Sequence, residues 1–152
     1  IAASLLIKKG LTISVAESCT GGLVSHRLTN ISGSSNYYKC GIISYSNQAK
    51  SAFLKVDSQL IKEKGAVSPE VAREMAVGIR GAAHTDLGLG IAGIAGPTGA
   101  TPIKPVGLVY IALSSQIKQI CRRFVFSGNR EQIKWKASQA TLDILRKYLL
   151  GT

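Results

Sequence analysis

Apolar residues along this chain keep two rhythms, one helical and one alternating, and the switches between them mark out its elements. Ala2 to Lys9 has helical spacing and ends at Gly10, which predicts a helix closed by glycine. Thr12–Ala16 is a short β-branched run and predicts a buried strand. Leu23, Val24, Leu28 and Ile31 then return at helical spacing, predicting a helix over Thr20–Asn30 with Ser18 or Thr20 as its cap. Ile31 to Asn36 is a turn by composition, and Tyr37–Tyr45 reads as a second strand. Asn47–Leu54 follows as a short helix capped by serine or asparagine.

Ser68-Pro69-Glu70 is a helix start: a cap, a proline in the first turn and an acid near the positive end. Val71, Met75, Ile79 and Ala82 give that helix one apolar face as far as Ala83. Leu87–Ala92 is a glycine-rich third strand, and Gly93 to Pro105 a shaped loop. Val106–Leu113 and Ile117–Phe126 alternate across Ser114-Ser115-Gln116 and predict a hairpin. Asn129 caps a last helix, with Ile133, Ala137, Ala140, Ile144 and Tyr148 facing the core and Lys134, Lys136 and Lys147 elsewhere. Trp135 falls off that stripe and is expected half-exposed. This order of elements predicts one α/β domain over residues 1–152, three layers α/β/α around a mixed sheet.

Composition narrows the function classes. No apolar run reaches the ~18 residues of a membrane span. The chain opens on isoleucine, so trimming or processing is expected. Cys19, Cys40 and Cys121 are odd in number and lack CxxC spacing, which points to a reducing, cytoplasmic setting and away from a disulfide framework. His26 and His84 stand apart, and no metal site is expected. The net charge of +11 suits an anionic partner, yet the basic residues are scattered with no run of five, and direct nucleic-acid binding is not expected. A homo-oligomer, by default a dimer, is expected.

Gly88-Leu89-Gly90-Ile91-Ala92-Gly93 fits GxGxxG, but its glycines lie inside a predicted strand with no helix N-terminus after them; they read as small residues for close packing. Ser115-Gln116-Ile117-Lys118 fits SxxK only across a hairpin and is a chance match. Ser18 stands at a strand-to-helix turn, where unpaired N–H groups and a positive dipole end favour an anion or a carbonyl. Cys19 is a rival nucleophile at the same turn, since helix N-termini lower thiol pKa values. Lys50 enters a helix just after the second strand, and strand ends of α/β sheets gather on one edge. Reaching Ser18, it would be the base a serine nucleophile needs.

The motifs AESCTGG (Ala16–Gly22), GSS (Gly33–Ser35), YSNQAK (Tyr45–Lys50), GAVS (Gly65–Ser68), GIAGP (Gly93–Pro97), KPVG (Lys104–Gly107) and Gly128-Asn129-Arg130 occur in that order. Together they resemble the CinA C-terminal domain family, whose stand-alone members are nicotinamide mononucleotide amidohydrolases of the PncC type; the likeness is to that single-domain form. The resemblance implies a serine–lysine amidase without metal or cofactor. It implies Ser18 as nucleophile and Lys50 as general base, with Tyr45 and Arg130 at the substrate, nicotinamide mononucleotide. Backbone N–H groups of Thr20, Gly21 and Gly22, or of Gly93 and Gly96, would hold the oxyanion. Arg130 would either bind phosphate or be the cation that lowers the lysine pKa. The family pattern usually carries a hydroxyl where this chain has Ala92, and the loop Thr98-Gly99-Ala100-Thr101 lacks a glycine pair common there. A non-enzymatic, competence- or recombination-associated binding module is the alternative.

Overall fold

In the computed structural model, which describes residues 1–152, five strands form one sheet. They are β1 (Ile13–Glu17), β2 (Tyr38–Ile43), β3 (Leu87–Gly93), β4 (Leu108–Ser114) and β5 (Gln119–Val125), in the spatial order β2-β1-β3-β4-β5. The helices are α1 (Ala2–Lys9), α2 (Leu23–Thr29), α3 (Asn47–Leu54), α4 (Ser58–Lys64), α5 (Pro69–Ala83) and α6 (Arg130–Leu150). β1 runs parallel to β2 and β3, because helices carry the chain back between them. β4 and β5 run antiparallel to their neighbours, so the sheet is mixed, as the order of elements predicts.

Large and small residues alternate along β3, and this sets the stacking. Leu87, Leu89 and Ile91 join Ile13, Val15, Val109 and Ile111 on one face, covered by α1, α2 and α6. Ala92, Ala16 and Ala112 face the other side, against α3, α4 and α5. Gly88 and Gly90 share that second face and let α5 settle onto the strand backbone. A Cβ on Gly90 would stand 2.7 Å from the Ala76 nitrogen, and one on Gly88 2.7 Å from Arg80 Cβ. The GxGxxG match is therefore a packing feature.

Capping follows the sequence closely. Gly10 is left-handed at φ 63°, the Ser46 and Ser68 hydroxyls accept from Ala49 and Val71 N–H, and Asn129 forms a reciprocal box with Gln132. Three expectations need correction. Helix α4 adds an element that the apolar pattern does not predict, since SQLIKEK is polar and buries Ile61 alone. Helix α2 starts at Leu23 and not Thr20, because Gly21 and Gly22 take positive φ and belong to the turn. The α6 stripe runs through Ile133, Ala137, Thr141, Leu145 and Leu149; Ala140, Ile144 and Tyr148 are half-buried beside it. The buried line steps by four throughout, where the expected one takes a step of three at Ala140. Each step of four advances about 40° around a 3.6-residue helix, so the buried line winds slowly around α6. Trp135 is 53% exposed, with the Arg27 guanidinium carbon 4.2 Å from its ring centre. No helix is long and apolar enough to cross a membrane.

Candidate active site

Parallel pairing brings the carboxyl ends of β1, β2 and β3 to one edge, with Glu17 opposite both Ile43 and Ile91. The turns leaving these strands converge there. The Ser18 N–H donates to the Ile91 carbonyl at 3.0 Å and the Ser44 N–H to the Glu17 carbonyl at 2.8 Å, so both turns hang from the sheet. Ser46 starts α3 just beyond, and one turn later Lys50 points back beneath the strand ends.

Lys50 is 1% exposed, and its Nζ donates to the Ser44 carbonyl at 2.7 Å and to Ser18 Oγ at 3.2 Å. No carboxylate pairs with it, since the chain's ion pairs are Asp143 with Arg146 and with Lys147. Burial is the larger influence and pushes the Lys50 amine below the ordinary lysine value; the neighbouring Cys19 opposes it. Arg130 is not among the causes, so the cation-tuning role considered for it finds no support. Once uncharged, the amine can donate to Ser44 and turn its lone pair to the Ser18 hydroxyl. Cys19 is buried, and desolvation pushes its thiol up to about 12, which keeps it protonated and disfavours it as the nucleophile.

Neither Ser18 nor Thr20 caps α2. Glu17 does, with a carboxylate that is 0% exposed. Its Oε2 accepts from the N–H of Gly22 (3.0 Å) and Val24 (3.1 Å), and its Oε1 from the N–H (2.8 Å) and hydroxyl (2.6 Å) of Ser25. The positive end of α2 is thus spent on an internal anion and does not face a substrate. Among the expected oxyanion donors, the Gly22 N–H goes to Glu17 and the Gly21 N–H to the Ser18 carbonyl. The N–H groups of Cys19 and Thr20, next to the nucleophile, bond to no other group of the chain; nor do those of Ala95 and Gly96 in the loop after Gly93. The Thr20 and Ser44 hydroxyls are also buried without a partner.

The structure joins Tyr45 to Arg130. The Arg130 Nη2 donates to the Tyr45 hydroxyl at 3.0 Å and its Nη1 to the Gly96 carbonyl at 2.7 Å, strapping the end of β2, the glycine loop and the start of α6 together. Beside this strap, α2 and α6 enclose a cleft of about 710 Å³ lined by Thr20, Gly21, Gly22, His26, Lys134 and Trp135 among others. Lys134, expected merely to lie off the core face, stands over Gly21. Glu17 and Lys134 are the residues that sequence reasoning missed. An acid ending a strand just before a glycine pair was the available signal for Glu17; for Lys134 there was none.

These features define an α/β domain with a buried lysine held against a serine at the carboxyl edge of its parallel strands. The chain belongs to the CinA family: the CinA C-terminal domain model matches residues 1–149. It is 52% identical over 148 residues to a CinA-like protein of Citrifermentans bemidjiense and 51% identical over 150 residues to one of Desulfotalea psychrophila. Those matches cover 97% and 99% of this chain but 36% of each relative, so the chain spans about a third of their length. A competence-damaged protein (CinA) superfamily structure from Klebsiella pneumoniae superposes with a TM-score of 0.96 at 30% identity, covering 99% of this chain and 94% of that one. Another from Enterobacter cloacae gives 0.93 at 35% identity, covering 97% and 87%.

Proposed function

We propose that this domain hydrolyses the carboxamide of nicotinamide mononucleotide to nicotinate mononucleotide and ammonia, a step of pyridine nucleotide salvage. The observation that carries the reading is the 3.2 Å contact between Ser18 Oγ and the buried, acid-free amine of Lys50. Uncharged Lys50 takes the Ser18 proton as Oγ attacks the amide carbon. The tetrahedral oxyanion is held by the free N–H groups of Cys19 and Thr20. Lys50 returns its proton to the amide nitrogen, ammonia leaves, and an ester on Ser18 remains. Water then adds to that ester with Lys50 as base, giving the carboxylate and the free serine. The pyridinium charge draws electrons from the carbonyl and makes this amide a better electrophile than an ordinary one.

The names of these relatives and structures, CinA-like or competence-damaged protein (CinA) superfamily, state no reaction. Ammonia release from nicotinamide mononucleotide, compared between wild type and Ser18→Ala, tests the reading. Turnover by the wild type and loss of it in the variant is the expected result. Equal trace release by both would leave the non-enzymatic binding module.

A further inference from the structure

Lys134 is a half-buried cation with no hydrogen bond or ion pair, and it lines the cleft that opens just past Ser18. Its Nζ lies 3.4 Å from where a Cβ on Gly21 would stand, directly over the turn that carries the nucleophile. The other cations nearby are occupied. Arg130 gives its terminal nitrogens to Gly96 and Tyr45. Lys136 donates to the Ser127 carbonyl at 2.5 Å, and Arg27 lies over Trp135 while donating to Ser138 and Gln139. Thr20, another residue of the cleft lining, is 1% exposed, with its hydroxyl buried and without a hydrogen-bond partner. Lys50 and Lys134 both lie close enough to the buried Cys19 side chain, next to Ser18, for their charges to act on its thiol. Gly21 and Gly22 leave the floor between them without side chains. Glu131 lines the same cleft, so an anion has to lie toward Lys134 and away from that carboxylate.

We propose that this α2–α6 cleft seats the phosphoribosyl end of the substrate, with Lys134 holding the phosphate and so selecting the mononucleotide over the free nucleoside. The proposal rests on the mononucleotide reading and extends it to a second residue set. The N-terminal N–H groups of α2 take no part, because Glu17 holds them.

Trp135 is the chain's one tryptophan and lines the cleft, so its fluorescence reports occupancy without requiring turnover. Wild type, Lys134→Gln and Arg130→Gln are titrated with nicotinamide mononucleotide and, separately, with nicotinamide riboside; inorganic phosphate is added as a competitor. The expected result is that Lys134→Gln weakens the mononucleotide about tenfold or more, the scale of one charge-assisted contact, and leaves the riboside unchanged. Phosphate should compete in wild type and not in Lys134→Gln. Equal loss for both ligands, no loss for either, no binding at all, or a phosphate-selective loss in Arg130→Gln alone would each overturn the assignment. Ammonia release measured on the same proteins keeps the two claims apart. Lys134-dependent binding without ammonia would sink the hydrolase and spare the cleft, and ammonia release indifferent to Lys134 would do the reverse.

Discussion

Replacing Glu17 with glutamine keeps the shape of the α2 cap and removes its charge, and the geometry says what that costs. The four bonds fall in two pairs, Gly22 and Val24 N–H on Oε2, Ser25 N–H and Oγ–H on Oε1. A glutamine amide can keep its oxygen on the first pair, and the Ser25 hydroxyl can rotate to accept from the new NH₂. The Ser25 N–H then faces a donor and is lost. One charge-assisted bond of about 1.5–3 kcal/mol goes, together with an attraction to the helix dipole of up to ~2 kcal/mol. Glu17→Gln should therefore cost about 2–4 kcal/mol. Urea unfolding followed by Trp135 fluorescence reads this as a lower midpoint at unchanged m-value. A variant within about 0.5 kcal/mol of wild type, the scatter of ordinary surface changes, would refute the cap.

Three further outcomes are expected. Hydrogen bonds from the Thr12 N–H and hydroxyl hold the Asp86 carboxyl below its usual range, so its contribution is present above the unfolded carboxylate pKa and fades as pH falls through the folded value; the stability gap between wild type and Asp86→Asn, up to about 1 kcal/mol at this exposed site, should close on acidification from pH ~7 to ~3. Cys19→Ala should keep ammonia release within about threefold of wild type, a change of under ~1 kcal/mol in barrier, and a loss as deep as that of Ser18→Ala would make the thiol the nucleophile. Gly90→Ala should cost about 1–3 kcal/mol in denaturant melts, because the new methyl meets the α5 backbone at Ala72 and Ala76; no loss would mean that the helix shifts freely.

Elements with local signals were legible in the sequence. Gly10, Ser46, Ser68-Pro69 and Asn129 each mark a helix end through short-range chemistry, and the helices they bound stand where expected. Helix α4 has no apolar rhythm to reveal it, and the α6 stripe departs from its expected line because it passes through Thr141, a polar residue buried with its hydroxyl donating to the Ala137 carbonyl. Ser18, Lys50, Tyr45 and Arg130 could be picked out by motif, and the sheet topology explains the two pairs they form, Ser18 with Lys50 and Tyr45 with Arg130: β1, β2 and β5, which they follow, end at one edge. Glu17 stayed hidden because its partners lie five to eight residues onward, outside the reach of an ordinary N-cap. Lys134 stayed hidden because only tertiary packing of α6 against α2 puts it over Gly21.

At the centre of the proposed chemistry stands an uncharged amine beside Ser18, and the pH dependence of kcat/KM for amide hydrolysis, in wild type and in Lys50→Arg, interrogates it most directly. Burial favours the neutral form of Lys50, so the wild-type rate should climb with pH along a limb centred below the ordinary lysine value of about 10.4. Lys50→Arg, always charged, should lose that limb and at least about a hundredfold in rate. A limb centred at the ordinary lysine value, or a profile that Lys50→Arg leaves intact, would contradict the mechanism.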